Sequence, residues 1–125
     1  MRSLLFVPGD SEKKLEKGFG AGADVVIVDL EDSVAPQNKA SAREIAARFI
    51  AGNRQQTSSA IYIRVNDLST GLTDDDLAVL VAVKPDGIML PKSNSGQDVQ
   101  QLSAKLRVHE AENGLPDGGI RILPI

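Results

Sequence analysis

Short apolar runs alternate with longer amphipathic segments along this chain, and the alternation limits the possible folds more than any other feature. Helical spacing is clearest at residues 37–51, where Ala42, Ala46 and Phe49 recur at three- and four-residue intervals. Five apolar runs predict strands: SLLFVPGD, DVVIVDLE, SAIYIRVND, DGIMLPK and GGIRILPI. The resulting order is a βα unit repeated four times and then a fifth strand, which predicts an α/β fold with a parallel sheet.

Two architectures have this order of elements. One is a small doubly wound sheet of five strands, and the other is part of a (β/α)8 TIM barrel, which typically needs about 250 residues. The fifth strand carries Ile122, Leu123 and Ile125 without a following helix to cover them, as in a chain cut in mid-pattern. We therefore favour the barrel and expect residues 1–125 to be the N-terminal part of a single barrel domain, with about four βα units plus a fifth strand.

Composition excludes several other classes of protein. The chain has 42% hydrophobic but only 3% aromatic residues, so its core must be built from Val, Ile, Leu and Ala. A net charge of −3 without a basic face disfavours nucleic-acid binding. No cysteine is present for a disulfide or thiolate metal site, and no apolar run approaches the roughly 18 residues of a membrane span. We expect a cytoplasmic protein without nucleic-acid or membrane partners.

Polar side chains are concentrated where the predicted strands end. In parallel α/β folds, ligands bind at the carboxyl ends of the strands. The opposite strand ends carry fewer polar groups. The residues at the carboxyl ends are Asp10, Asp29, Glu31, Asp32, Arg64, Asn66, Asp67 and Lys92. This one-sided polarity predicts a functional site at that edge of the sheet.

Arg64 is the candidate that points most directly to chemistry. Strand alternation places it on the same face as Tyr62 and Asn66. A guanidinium there suits a substrate carboxylate, or a carbonyl that becomes an oxyanion. The structural alternative is an ion pair with Glu31 or Asp32, and the sequence leaves both interpretations open.

The acids that follow the second strand also allow two interpretations. Asp29 and Glu31 face the same way by alternation, and Asp32 begins the loop. These carboxylates suit Mg²⁺, or the orientation of a metal-bound water, but they also suit plain pairing with Arg64 and Lys92. For Lys92 we favour pairing with Asp32 over binding of a ligand anion.

Other polar residues are expected to serve the structure. Asp74, Asp75 and Asp76 stand in the first turn of a predicted helix, where the helix dipole favours acids, with Thr73 as the N-cap. The single histidine, His109, is expected on a solvated helix face.

Four motifs together carry a family resemblance: RSLLFVPGD, GADVVIVDLEDSVAP followed by Lys39 and Arg43, IRVND, and DGIMLPK. In this order and spacing they resemble the citrate lyase β subunit family, which includes malyl-CoA lyases and related acyl-CoA carbon–carbon lyases. The resemblance spans the chain. It implies a (β/α)8 barrel, assembly into trimers or hexamers, and Mg²⁺-dependent cleavage or formation of a carbon–carbon bond beside an acyl-CoA thioester.

The resemblance also implies roles for particular residues. Arg64 matches the family arginine that binds the substrate carbonyl and stabilises an enolate-like transition state. Phe6, Ser11 and Lys17 match positions that contact the CoA substrate in malyl-CoA lyases, although Ser11 stands where those relatives have arginine. These expectations make Arg64 both a catalytic and a substrate-binding residue.

The family's magnesium ligands are a glutamate after the fifth strand and an aspartate after the sixth, so both are expected beyond Ile125. The resemblance then makes Asp29, Glu31, Asp32 and Lys92 the surroundings that orient metal-bound water and Arg64. We expect residues 1–125 alone to be inactive. The competing interpretations are a receiver-like signalling module of five βα units and a non-catalytic oligomerisation piece.

Overall fold

The computed structural model describes residues 3–92, 96–116 and 118–124, and it contains the predicted order of elements. The strands are β1 (Leu4–Pro8), β2 (Val25–Asp29), β3 (Ala60–Arg64), β4 (Gly87–Leu90) and β5 (Arg121–Pro124). The α-helices are α1 (Glu12–Phe19), α2 (Lys39–Asn53), α3 (Thr73–Leu80) and α4 (Gly96–Glu112). Ile125, the last residue of the predicted fifth strand, lies outside the described residues.

The five strands form one sheet in chain order, β1-β2-β3-β4-β5, and every neighbouring pair is parallel. A doubly wound sheet of the receiver type instead has the order 2-1-3-4-5. Right-handed crossovers between successive neighbours place all the helices on one face of the sheet, as in a barrel wall. The barrel interpretation is therefore confirmed, and the doubly wound alternative does not fit the sheet order.

The helix-facing side of the sheet holds the main core. Alternate strand residues point toward the helices and are almost fully buried there, which stabilises the fold by about 1.5–3 kcal/mol for each large aliphatic side chain. The strand residues in this core include Val7, Val26, Val28, Ile61, Ile63, Ile88 and Leu90, and the helix residues include Leu15, Ala46, Ile50, Leu77 and Leu102. Aliphatic residues dominate this core, as the composition predicts.

The opposite, inner face of the sheet is only partly covered. Val25, Ile27, Tyr62 and Met89 form a small second cluster there. On the same face of β1, the side chain of Phe6 stays 45% exposed. This half-covered face leads directly to the carboxyl ends of the strands.

Two helix starts show how local signals can succeed or fail. Ser11 is the N-cap of α1, a residue type that favours this position, and its Oγ accepts a hydrogen bond from the backbone N–H of Lys14 at 3.3 Å. For α3 the prediction is wrong, because Leu72 is the N-cap and Thr73 lies inside the helix. The Thr73 hydroxyl donates instead to the backbone carbonyl of Asn66 at 2.8 Å, a tertiary contact that competes with capping.

Candidate functional site

Asp29 and Arg64 stand side by side at the carboxyl ends of β2 and β3. They are partners in the parallel register, so both side chains project from the same face of the sheet. Phe6 of β1 and Lys92, just after β4, contribute to the same end. The structure therefore brings together residues from four strands that the sequence separates by up to 86 positions, from residue 6 to residue 92.

Asp29 is fully buried and has hydrogen bonds on both carboxylate oxygens. Its Oδ1 accepts from the backbone N–H of Glu31 at 2.8 Å, and its Oδ2 accepts from the backbone N–H of Ser33 at 2.9 Å and from the Ser33 hydroxyl. Burial alone would raise the pKa of Asp29, but the Arg64 guanidinium and the Ser33 and Glu31 donors outweigh it and hold the pKa far below its usual range. Asp29 is therefore an anion at neutral pH.

Arg64 is held by Asp29 in a bidentate pair. Its Nε donates to Oδ1 at 2.9 Å and its Nη2 donates to Oδ2 at 2.6 Å. The guanidinium carbon lies 4.7 Å from the ring centroid of Phe6, within the range of a cation–π contact. The hydrogen bond to Asp29 raises the pKa of Arg64. The third nitrogen, Nη1, has no hydrogen-bond partner in the part of the chain that the structure describes.

Glu31 lies between two cations. Its Oε2 is 2.8 Å from Nζ of Lys92, and its Oε1 is 3.8 Å from Nε of Arg64. The hydrogen bond to Glu31 raises the pKa of Lys92. The predicted pairing of Lys92 with Asp32 is thus wrong, because Asp32 turns outward, is exposed, and makes no hydrogen bond or ion pair with the described residues.

Lys39 holds the other side of the acidic turn, which we define as residues 29–33. The Lys39 ammonium donates to the backbone carbonyl of Leu30 at 3.0 Å and to that of Glu31 at 2.6 Å. Sequence reasoning used Lys39 only as part of a motif and gave it no role. Its signal was a lysine at the start of a helix, where the dipole disfavours a cation.

The positions matched to CoA contacts divide into two groups. Phe6 and Lys17 line one largely apolar groove of about 300 Å³ along β1 and α1, together with Lys14. Ser11 is not part of this groove, and its hydroxyl is occupied in capping α1.

The described residues do not form a site for a magnesium ion. Within residues 3–92, 96–116 and 118–124, no three His, Cys, Asp or Glu side chains are grouped so as to hold a metal. The lone pairs of Asp29 are taken by Arg64 and by the acidic turn, and Glu31 is paired with Lys92. Since these donor sets do not fit the ion, none of the steps proposed below passes through it.

A second buried acid lies away from this site. Asp76 of α3 is fully buried, and its Oδ1 accepts from Nε of Arg43 on α2 at 2.6 Å. Its Oδ2 accepts from both the backbone N–H and the side-chain amide of Asn66 at 2.8 Å. Its predicted role at the helix N-terminus is therefore incomplete, because Asp76 ties two helices to the end of β3.

His109 also differs from its prediction. Its side chain is 15% exposed, with Nε2 3.7 Å from Asp74 of α3 and Nδ1 3.5 Å from Glu112. It therefore packs against a neighbouring helix instead of lying on a solvated face.

Among the described helices, none is both long enough and apolar enough to cross a membrane.

Comparisons with known proteins agree with this geometry. A sequence model of the family described as HpcH/HpaI aldolase/citrate lyase matches residues 2–124. The (3S)-malyl-CoA thioesterase of Cereibacter sphaeroides (strain ATCC 17025 / ATH 2.4.3) is 38% identical over 82% of this chain and 35% of its own length. Human mitochondrial citramalyl-CoA lyase is 34% identical over 86% of this chain and 32% of its own length. The chain therefore spans about a third of the length of the curated relatives that it matches.

A solved structure extends the comparison to the fold. The citrate lyase β subunit from M. tuberculosis, complexed with oxaloacetate and magnesium, superposes with a TM-score of 0.68. It is 28% identical, and the match covers 97% of this chain and 56% of that one. The five parallel strands thus correspond to part of a TIM-barrel-like structure.

Proposed function

We propose that this chain, which belongs to the HpcH/HpaI aldolase/citrate lyase family, forms the Arg64-bearing part of a magnesium-dependent carbon–carbon lyase. Its substrates would be hydroxyacyl-CoA thioesters such as citryl-CoA, malyl-CoA or citramalyl-CoA. The relatives' names support CoA esters as the substrate class. Arg64 lies at the carboxyl ends of the strands, where parallel α/β folds bind ligands, which supports the proposal.

The observation that carries the proposal is the fixed guanidinium of Arg64. Asp29 fixes two of its three nitrogens in a bidentate pair, and Phe6 supports one face of its plane. The third nitrogen, Nη1, has no hydrogen-bond partner among the described residues, and it lies at the carboxyl ends of the strands. A cation that is oriented in advance, with a free donor at this edge, suits an oxygen on which negative charge develops.

The proposed chemistry uses that free donor. The carbinol hydroxyl would give its proton to a base and become the carbonyl of the 2-oxo acid, while the bond between the carbinol carbon and the carbon next to the thioester breaks and its electron pair moves into the thioester. The thioester carbonyl oxygen would carry the negative charge of the resulting enolate until its carbon is protonated, which gives the acyl-CoA product. Nη1 of Arg64 would donate to this oxygen, and the bond to Asp29 would keep the guanidinium from rotating away. Phe6 and Lys17 would contact the CoA part in the groove that they share.

The surrounding charges would maintain this arrangement. Asp29 would hold Arg64, and Glu31 would hold Lys92 beside it. We propose that Asp32, exposed at the same end, together with Glu31, Asp29 and Lys92, would surround a metal held by other residues of the full protein and keep Arg64 oriented. Magnesium is present in the M. tuberculosis relative, and we propose that its ligands here come from sequence beyond Ile125. We also propose that residues 1–125 are the N-terminal part of one barrel domain and that the full protein assembles into a trimer or hexamer.

The test is a chimera in which residues 1–125 replace the matching segment of human citramalyl-CoA lyase. We expect the chimera to release a 2-oxo acid from citramalyl-CoA only when Mg²⁺ is present. We expect the 125-residue chain alone to release none. A folded chimera without turnover, or Mg²⁺-dependent turnover by the chain alone, would contradict the proposal.

Thioester hydrolysis is the second candidate, because the (3S)-malyl-CoA thioesterase is 38% identical to this chain. The same assay separates the two reactions. A lyase releases the 2-oxo acid and leaves the CoA thioester intact, whereas a thioesterase releases free thiol, which a thiol reagent detects. We expect the 2-oxo acid without stoichiometric thiol.

Substitution of Arg64 distinguishes a purely structural module from part of an active site. If residues 1–125 served only as an oligomerisation or signalling piece, Arg64→Ala in the chimera would change stability and leave turnover unaltered. We expect turnover to fall by about 10²–10³-fold, the usual loss when one donor to an oxyanion is removed.

A further inference from the structure

We infer that Lys39 is a positioning residue that fixes the acidic turn and, through it, the orientation of Arg64. The inference rests on the proposed role of Arg64 in binding substrate. Lys39 donates hydrogen bonds to two backbone carbonyls of the acidic turn, those of Leu30 and Glu31.

The acidic turn is held from two opposite sides. On the inner side, the Asp29 carboxylate accepts the backbone N–H groups of Glu31 and Ser33. On the outer side, the Lys39 ammonium donates to the carbonyls of Leu30 and Glu31. Both backbone groups of Glu31 are therefore bound by charged side chains: its N–H donates to the Asp29 carboxylate, and its carbonyl accepts from the Lys39 ammonium.

This double attachment fixes the direction of the Glu31 side chain. With its backbone immobile, the carboxylate lies where it can reach Lys92 at 2.8 Å and stand 3.8 Å from Nε of Arg64. The turn is also joined to β3, because the backbone N–H of Leu30 donates to the carbonyl of Arg64 at 3.0 Å. Loosening the turn would therefore disturb the anions that hold the guanidinium.

Lys39 is unfavourable at the start of its own helix, which indicates that its hydrogen bonds to the two carbonyls are the reason for a lysine at this position. It is the first residue of α2, and no acidic residue stands in that turn to offset its charge. A cation at a helix N-terminus opposes the helix dipole. The short 3₁₀ turn Pro36–Asn38 brings the chain back so that this ammonium meets the two carbonyls.

The experiment measures hydrogen exchange of the Arg64 Nε–H by ¹⁵N NMR in the 125-residue chain, with the signal assigned by its loss in Arg64→Lys. Lys39→Met keeps the aliphatic stem and removes the donors. We expect it to raise the exchange rate at least tenfold, and the rates of the Glu31 and Ser33 amides with it. Lys39→Arg, which retains donors, should restore most of the protection.

The matched control is Lys105→Met, which removes a lysine whose ammonium is likewise bonded, here to Asp74 at 2.7 Å, but which lies on α4 away from the turn. We expect less than a twofold change in Arg64 exchange there. Exchange that is unchanged in folded Lys39→Met would overturn the inference. If that variant does not fold, Lys39→Gln is measured in its place, with a smaller rise expected and an unchanged rate contradicting us.

This readout requires no turnover, so it is independent of the proposed function. In the chimera, Lys39→Met should lower kcat about tenfold with little change in KM, because it would disorder a group used in the transition state. A chimera that is inactive despite normal Arg64 protection would instead count against the function and leave the positioning role intact.

Discussion

Asp29 and Asp76 are both fully buried carboxylates, each bonded to an arginine and to backbone N–H groups, yet they lie in different surroundings. The partner of Asp29 is Arg64, which projects from the inner face of the sheet over the half-exposed ring of Phe6. The partner of Asp76 is Arg43, which lies between helices with its Nη2 buried and without a hydrogen-bond partner among the described residues. Both carboxylates are fully buried, but Arg64 binds Asp29 through two nitrogens and Arg43 binds Asp76 through one, and the two arginines point in different directions.

The comparison teaches that a buried ion pair does not by itself mark a site. Removing one member of a buried pair is costly wherever the pair lies, because the remaining charge is stranded. What separates the two clusters is whether the arginine reaches the open carboxyl end of the strands. We therefore expect the Asp76 cluster to determine stability and the Asp29 cluster to determine activity.

The largest stability effect should come from Asp76→Ala. The substitution leaves the buried Arg43 guanidinium without its anion and removes the acceptor of the Asn66 backbone N–H and side-chain amide. We therefore expect a loss of about 3–5 kcal/mol in the free energy of unfolding. Urea denaturation measures it, and Asp76→Asn provides a milder variant. Exposed Asp75→Ala is the control and should cost less than about 0.5 kcal/mol; equal losses for both would contradict the account.

Asp29→Asn should cost less, about 1–3 kcal/mol by the usual worth of hydrogen bonds to charged groups. Water can reach the Arg64 side chain, which is 16% exposed, and Glu31 lies 3.8 Å away as a second anion. The same denaturation experiment compares the two variants. A loss at Asp29 as large as that of Asp76→Ala would show that the open cluster is as structural as the enclosed one.

The pH dependence of stability should expose Asp29 directly. Its folded pKa lies below the usual value of 3.8, so its contribution is complete above that pH and is lost as the pH falls toward the folded pKa. The difference in unfolding free energy between the wild-type chain and Asp29→Asn should therefore shrink below pH 4, by at most about 1.4 kcal/mol per pH unit. A difference that grows on acidification would give the wrong sign.

The smallest effect concerns the backbone of Lys92. Its φ of 54° lies in the left-handed region, which a Cβ disfavours. Lys92→Ala and Lys92→Gly both lose the contact with Glu31, but only glycine also relieves the backbone. We expect the glycine variant to be more stable by about 1 kcal/mol. Equal stability would mean that this backbone conformation is not maintained.

The features of the fold and site that the sequence could predict are local. The sequence of strands and helices follows from the βα rhythm, and alternation correctly directs Asp29 and Glu31 toward the same face. The pairing of Asp29 with Arg64 was also within reach, because parallel neighbouring strands that end at the same level place their last residues side by side. The sequence suggests Glu31 or Asp32 as the partner of Arg64 and includes Asp29 only in the acidic group that could pair with it.

The features that the sequence could not predict depend on tertiary contacts. Asp74, Asp75 and Asp76 look alike in sequence, and only the rotation of α3 against α2 decides that Asp76 is buried. The choice of Glu31 over Asp32 as the partner of Lys92 depends on how Asp29 and Lys39 fold the turn. A periodic pattern contains neither of these contacts.

The most direct test compares Arg64→Lys with Arg43→Lys in the chimera with human citramalyl-CoA lyase. For each variant, kcat and the free energy of unfolding are measured on the same preparation. We predict that Arg64→Lys lowers kcat by about 10²-fold or more, because lysine cannot reproduce the bidentate fork. Stability should change little, because the lysine retains the positive charge beside Asp29. Arg43→Lys should lower stability and leave kcat within about twofold. Equal effects of the two variants on kcat, or a larger effect of Arg43→Lys, would contradict the assignment of Arg64 to the site.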